Sequence, residues 1–282
     1  MIGHQQYAQI NEPITALLEG GRPAILVHRG SGRGTIVENT AKGIAAALVE
    51  GADIVEIDIV SSTDGDFFLF HDGYEPMAFG IQENLTTLPT AKLEALSYKW
   101  ALTEPGSYPL ERLDTVLTQF PDTFFNIDRS WRWWPQLLDY MTHRGSISHL
   151  TVKCDASDEA ALAALAGHTS KFPFLPIVTT PDQVERIIAD EALNTIGFEL
   201  LAANPDAPFA DPNYLRDLRE RGFAVMLNAI NLANAIPLYC GYDDETSVLH
   251  DPDVGWGELR RRGANIIQTD WPSLLKTYLA RP

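Results

Sequence analysis

Residues 54–60 read Ile-Val-Glu-Ile-Asp-Ile-Val, an apolar run broken only by two acids two positions apart. Side chains alternate across a strand, so Glu56 and Asp58 point to one face. On the inward face of a buried strand two carboxylates repel unless a cation lies between them. A divalent metal is the simplest way to tolerate both. An α/β barrel, which presents its chemistry at strand ends, accommodates such a strand naturally.

The flanking sequence agrees. Ala24 to Val27 is a short apolar run that stops at His28-Arg29-Gly30, a strand delivering a base, a cation and a turn. Glu38-Asn39-Thr40 opens a helix over Thr40 to Glu50, with Ile44, Ala47 and Leu48 at helical spacing, and Gly51 stops it. Asp64-Gly65 is a hairpin-turn signal, after which Phe67 to Phe70 leads into His71-Asp72. His28 and His71 thus both end apolar runs beside the acidic pair.

Further along, strand-like segments at Phe124 to Asp128, Leu150 to Asp155, Phe174 to Thr179, Thr195 to Leu201 and Ala224 to Ile230 alternate with helical stretches such as Glu159 to Ala166, Gln183 to Ala189 and Tyr214 to Arg221. That alternation is the mark of parallel βαβ units. With 282 residues and 45% hydrophobic content, the chain matches one barrel of about 250 residues. With a last unit that ends in Thr269-Asp270, about nine strand-like segments stand against the eight a barrel needs, and the surplus, Phe67 to Phe70, is assigned to a hairpin in a cap. A short helix near Glu12 to Leu18 is expected to cover the barrel's bottom.

The formal charge of −17 argues against nonspecific binding to nucleic acid or anionic membrane. It also opposes any anionic substrate, which must be drawn in by local positive charge. Cys154 and Cys240 make no disulfide framework, no leader peptide is visible, and no apolar run reaches eighteen residues. The expectation is a soluble, cytoplasmic protein with two reduced thiols. The acidic loop carrying Asp243, Asp244, Asp251 and Asp253 lacks EF-hand spacing and reads as solvated.

The series HRG (28–30), ENT (38–40), GADIVEID (51–58), STDG (62–65) and FHD (70–72) resembles the signature of the glycerophosphodiester phosphodiesterase family. That resemblance implies a TIM (β/α)8 barrel over residues 1–282 as a single domain, with a capping insertion at about 60–110 after the second strand. It implies one divalent cation, Mg2+ or Ca2+, held by Glu56, Asp58 and Asp128, and an acid–base pair with His71 as base and His28 as acid. Arg29 would hold the phosphate, and Glu38 would orient Arg29 or the metal shell.

The chain departs from the family at informative places. Asp128 stands where the family has a glutamate, and Ser130 where it has a phosphate-binding lysine; Lys153, on the next strand, is the expected replacement charge. The stretch after His71-Asp72 is not the family's usual one. Asn231 matches the asparagine of a Trp-Thr-Val-Asn motif, but Asn228 and Ala229 replace the first two residues. Glu199 and Asn231 are candidates for substrate hydroxyls. Trp131 and Trp133, in Trp-Arg-Trp-Trp, either stack on a sugar or clamp a loop onto the outer helices.

The partner implied is a small phosphodiester, with no nucleic acid and no membrane insertion, and oligomeric state is not legible. The substrate is a glycerophosphodiester by default, or a sugar diester such as an opine of the agrocinopine type, given the altered pocket residues. Two other classes compete. One is a lipid enzyme of the sphingomyelinase D type, a group that is secreted and disulfide-bearing, unlike this chain. The other is a noncatalytic phosphodiester-binding barrel, which would need no acid–base pair.

Overall fold

The computed structural model describes residues 1–99 and 108–281. Its strands are β1 (Ala24–Val27), β2 (Ile54–Ser61), β3 (Phe67–Leu69), β4 (Phe124–Asp128), β5 (Leu150–Val152), β6 (Ile177–Val178), β7 (Gly197–Leu200), β8 (Ala224–Asn228) and β9 (Ile266–Thr269). All but β3 run parallel, in the spatial order β5-β4-β2-β1-β9-β8-β7-β6. Parallel bridges from Val152 to Phe174 and from Asp155 to Ile177 join the two ends of that order and close an eight-stave barrel. β3 pairs antiparallel with β2, Ile59 opposite Leu69, so the surplus strand is a hairpin outside the ring.

The elements follow their local chemistry. Thr40 caps the helix Ala41–Glu50 by accepting the Gly43 N–H, and Gly51, at φ 103°, ends it. The helix near the N-terminus runs from Ala8 to Leu18, a turn longer than its apolar spacing suggests. β6 is shorter than expected because Pro173 and Pro176 have no N–H to give a ladder. Their carbonyls still accept from Val152 and Glu199, so the stave keeps its place with little regular strand.

Along every stave, alternate residues face in and out. Ile25, Val27, Val55, Ile57 and Phe125 pack outward under the helices. Inside, the lower layer is apolar: Leu26, Ile54, Leu175, Met226 and Ile266 cluster with Ile14 and Leu18 of the first helix, which therefore covers the bottom. Above it lie Glu56, Asn126, Lys153, Glu199, Asn228 and Gln268, all buried. The barrel thus changes from hydrocarbon to polar within its own length.

A third apolar cluster sits over the mouth, where Phe68, Phe79, Leu85, Leu93 and Tyr98 pack on Val37 and Val60. Arg112 ties this region down through Asp66 (2.5 Å) and Glu94 (2.7 Å). Residues 100–107 of the stretch assigned to a cap lie outside the described residues. Among the described residues no helix is long and apolar enough to cross a membrane. Both cysteines are free, with Cys154 buried.

Candidate active site

The turn after β1 is shaped by its glycine. Gly30 has φ 67°, and a Cβ there would lie 2.9 Å from the Gly43 carbonyl carbon, so the turn rests directly on the following helix. Arg29, at φ 53°, points its N–H at Glu56 Oε2 (2.7 Å). Its guanidinium reaches Glu38 Oε1 (2.9 Å) and Asp58 Oδ2 (3.0 Å) and lies 5.1 Å from the centre of the Tyr74 ring. Burial works against the charge on Arg29, but Asp58, Glu38 and Glu56 outweigh it and hold the guanidinium protonated.

Asn39 clamps Asp58 from both sides. Its Nδ2 donates to Asp58 Oδ2 and its Oδ1 accepts the Asp58 N–H, both at 3.0 Å. One oxygen from each of Glu56, Asp58 and Asp128 falls within 4.8 Å of the others. Burial first, and then the charge of Asp58, push the Glu56 carboxyl up to about 8. Glu56 Oε1 is buried without a partner. An orphaned carboxylate oxygen facing two further acids suits a hard cation with oxygen ligands, so the residues present fit a divalent metal.

Lys153 is not a solvent lysine. It is 2% exposed, and its Nζ lies 2.9 Å from Asp128 Oδ2 and 3.1 Å from Glu199 Oε2. Burial opposes its charge, but Asp128, Glu199 and Glu56 raise its pKa well above the usual lysine value. Burial also works against the ionised Asp128, and the ammonium of Lys153 overcomes it and holds that carboxyl low. Asn228 Nδ2 completes the group by donating to Glu199 Oε1 at 2.8 Å.

The two histidines differ in their hydrogen bonds. His71 Nδ1 lies 2.8 Å from the Asp72 carbonyl, which can only accept, so Nδ1 carries the proton and Nε2 offers a lone pair. Burial lowers the pKa of His71, and Arg29 and Arg129 lower it further. His28 Nδ1 instead meets the Asp270 carboxylate at 3.0 Å, leaving its Nε2 free to donate when protonated. Burial disfavours the His28 cation, yet the Asp270 bond with the charges of Glu56 and Asp270 pushes its pKa up to about 9. Each borders its own cavity: about 250 Å³ beside His71, walled by Phe70, Tyr74 and Tyr98, and about 380 Å³ beside His28, walled by Arg33, Asp270 and Trp271. Glu38 borders both.

The remaining candidates lie further out. Trp131 and Trp133 pack against apolar clusters and do not line either cavity. Asn231 is exposed, and its Oδ1 accepts the N–H of Glu245. Three residues that sequence reasoning did not single out are at the site: Asn39, Asp270 and Tyr74. Asn39 sits inside the quoted ENT motif and Asp270 ends the closing strand-like unit, so position beside a strand end was the available signal. Asp244, expected in a solvated loop, is 2% exposed. Its oxygens take the N–H or O–H of Trp256, Thr269 and Asp270, so these donors account for its burial.

A closed parallel barrel with acids, imidazoles and Arg29 gathered at the C-terminal ends of its strands defines a TIM-barrel protein with an enzyme-like mouth. Comparison with known proteins narrows this. The solved glycerophosphoryl diester phosphodiesterase of Parabacteroides distasonis is similar at TM-score 0.72 and 17% identity, over 94% of this chain and 90% of that one. A phosphodiesterase of Oleispira antarctica, solved with its product sn-glycerol-3-phosphate, is similar at TM-score 0.69 and 18% identity, over 94% and 99% of the two chains. The glycerophosphodiester phosphodiesterase of Thermotoga maritima is similar at TM-score 0.67 and 18% identity, over 91% and 98%.

In sequence, 55 residues are 47% identical to a glycerophosphodiester phosphodiesterase of Arabidopsis thaliana; the match spans 20% of this chain and 14% of that relative. A family model described as a domain of unknown function matches residues 174–279. The fold is therefore that of the glycerophosphodiester phosphodiesterases, and the sequence resembles theirs over a short stretch.

Proposed function

We propose that this chain is a metal-dependent phosphoric diester hydrolase that cleaves a small glycerol- or sugar-phosphodiester to a phosphomonoester and an alcohol. The observation that carries the reading is the opposite hydrogen-bonding state of two imidazoles at the edge of a three-carboxylate cluster. One ring accepts a proton while the other holds one ready, which is what a diester cleavage needs at its two ends.

Glu56, Asp58 and Asp128 would hold a divalent cation, which when bound would supply charge neutralisation at a phosphate oxygen. Arg29 holds a second phosphate oxygen, and Glu38 and Asp58 fix the guanidinium for that task. His71 Nε2 takes the proton of the attacking hydroxyl, and His28 Nε2 gives its proton to the departing alkoxide. Lys153 restores the positive charge that Ser130 does not provide. The product bound to the Oleispira neighbour is a phosphomonoester of the size this site would release.

The test is incubation with glycerophosphocholine and with a sugar phosphodiester of the agrocinopine type, each with Mg2+, with Ca2+ and with a chelator. Metal-dependent release of an alcohol from at least one diester is expected. Turnover of neither overturns the enzyme reading, and turnover of glycerophosphocholine alone discards the sugar branch.

A further inference from the structure

Asp270 lies one residue beyond β9, and its side chain is 44% exposed. A carboxylate so placed would ordinarily swing with its loop. Here both backbone polar groups of Asp270 are occupied. Its N–H donates to Asp244 Oδ2 at 2.8 Å, and its carbonyl accepts from Arg33. Asp244 is in turn held by the Trp256 indole N–H and the Thr269 hydroxyl, both 2.7 Å from its Oδ1. The N–H of Asp244 donates to the Ala229 carbonyl at the end of β8, so its backbone is fixed to a stave. Thr269 and Trp256 are themselves buried.

We propose that Asp244 is a positioning residue for the acid–base pair: it fixes the backbone of Asp270 so that the Asp270 carboxylate meets His28 Nδ1 and sets the direction of His28 Nε2. The proposal rests on the reading of His28 as the proton donor. It explains why the first residue of the short helix Asp244–Leu249, in an otherwise acidic segment, carries its carboxylate into a dry place, where the donors it meets orient the last residue of the relay. Asp244 touches neither histidine and acts only through Asp270.

Asp244→Asn tests this. An asparagine whose carbonyl oxygen stays with Trp256 and Thr269 turns its NH2 toward the Asp270 N–H, which it cannot accept. The expected result is a kcat lower by about ten- to a hundred-fold with KM within about twofold, because orienting partners of this kind act on turnover. Combined with Asp270→Asn, the loss should not exceed that of Asp270→Asn alone. The His28 imidazole N–H resonance should shift and exchange faster with water. A kcat within about twofold of wild type with an unchanged imidazole resonance, or losses that multiply in the double variant, overturns the proposal. Read without substrate, the imidazole spectrum tests the relay even if the wild type turns over no diester, an outcome that instead defeats the enzyme reading. If Asp244→Asn does not fold, Thr269→Val removes one donor and should lower kcat about threefold at constant KM; no change in kcat there also overturns the proposal.

Discussion

The two ends of the barrel are built by opposite rules. At the bottom, Leu26, Ile54 and Met226 meet the first helix in a cluster where no side chain has a charge to satisfy. At the mouth, Glu56 and Asp58, two and four positions above Ile54 on the same stave, are buried carboxylates met by Arg29 and Asn39, and with Asp128 they could hold a cation. One strand therefore serves both purposes, and the crossover occupies two residues. The lesson is that stability and chemistry are segregated by height, so substitutions at the two levels should fail in different ways.

The largest effect should come at the top. Glu56→Gln is expected to abolish divalent-cation binding seen by calorimetry and to lower kcat/KM by at least about 10³, near 4 kcal/mol of transition-state binding, while the thermal midpoint holds or rises. A variant that binds metal normally would break the segregation. Next, Leu26→Ala at the bottom should cost about 3 kcal/mol in denaturant unfolding and leave kcat/KM within about twofold. A tenfold loss of activity there would show that the ends are coupled.

Lys153→Ala probes the level between them and should reduce kcat/KM at least about tenfold, or roughly 1.4 kcal/mol. A near wild-type value would confine Lys153 to balancing Glu199 and Asp128. The smallest effect concerns pH. His71 must be neutral to accept a proton, and its pKa lies below the ordinary 6.5, so activity should fall only as pH drops below that value. His28 must be charged to donate, and its raised pKa keeps it so until pH passes about 9. A kcat/KM profile with its acid limb above 6.5 would contradict the assignment of base and acid.

Much of this was legible in the sequence because it is local. The β4 boundaries, Phe124 to Asp128, coincide with the apolar run, and Thr40 and Gly51 delimit their helix by capping chemistry alone. The inward pointing of Glu56 and Asp58 followed from strand alternation, and both are buried as that requires. What escaped is long-range. Asp244 is 26 residues from Asp270, and nothing in an acidic loop announces which of its carboxylates turns inward. Lys153 is legible as a lysine at a strand end, but its pairing with Glu199 depends on ring closure across β6, where prolines blur the pattern. Trp131 and Trp133 left stacking and clamping open, since aromatic residues do both; their packing against apolar clusters fits a loop clamp.

Glu38 divides the mouth in two. It forms a saddle between the two basins beside the histidines, kept in place by one ion pair to Arg29, and its side chain is 43% exposed. On the proposed reading, a diester held by Arg29 would straddle that saddle, one arm on each slope. The reach of Glu38 would then limit how bulky the arms could be where they meet the phosphorus, and shortening it would merge the basins into one trough open to broader molecules.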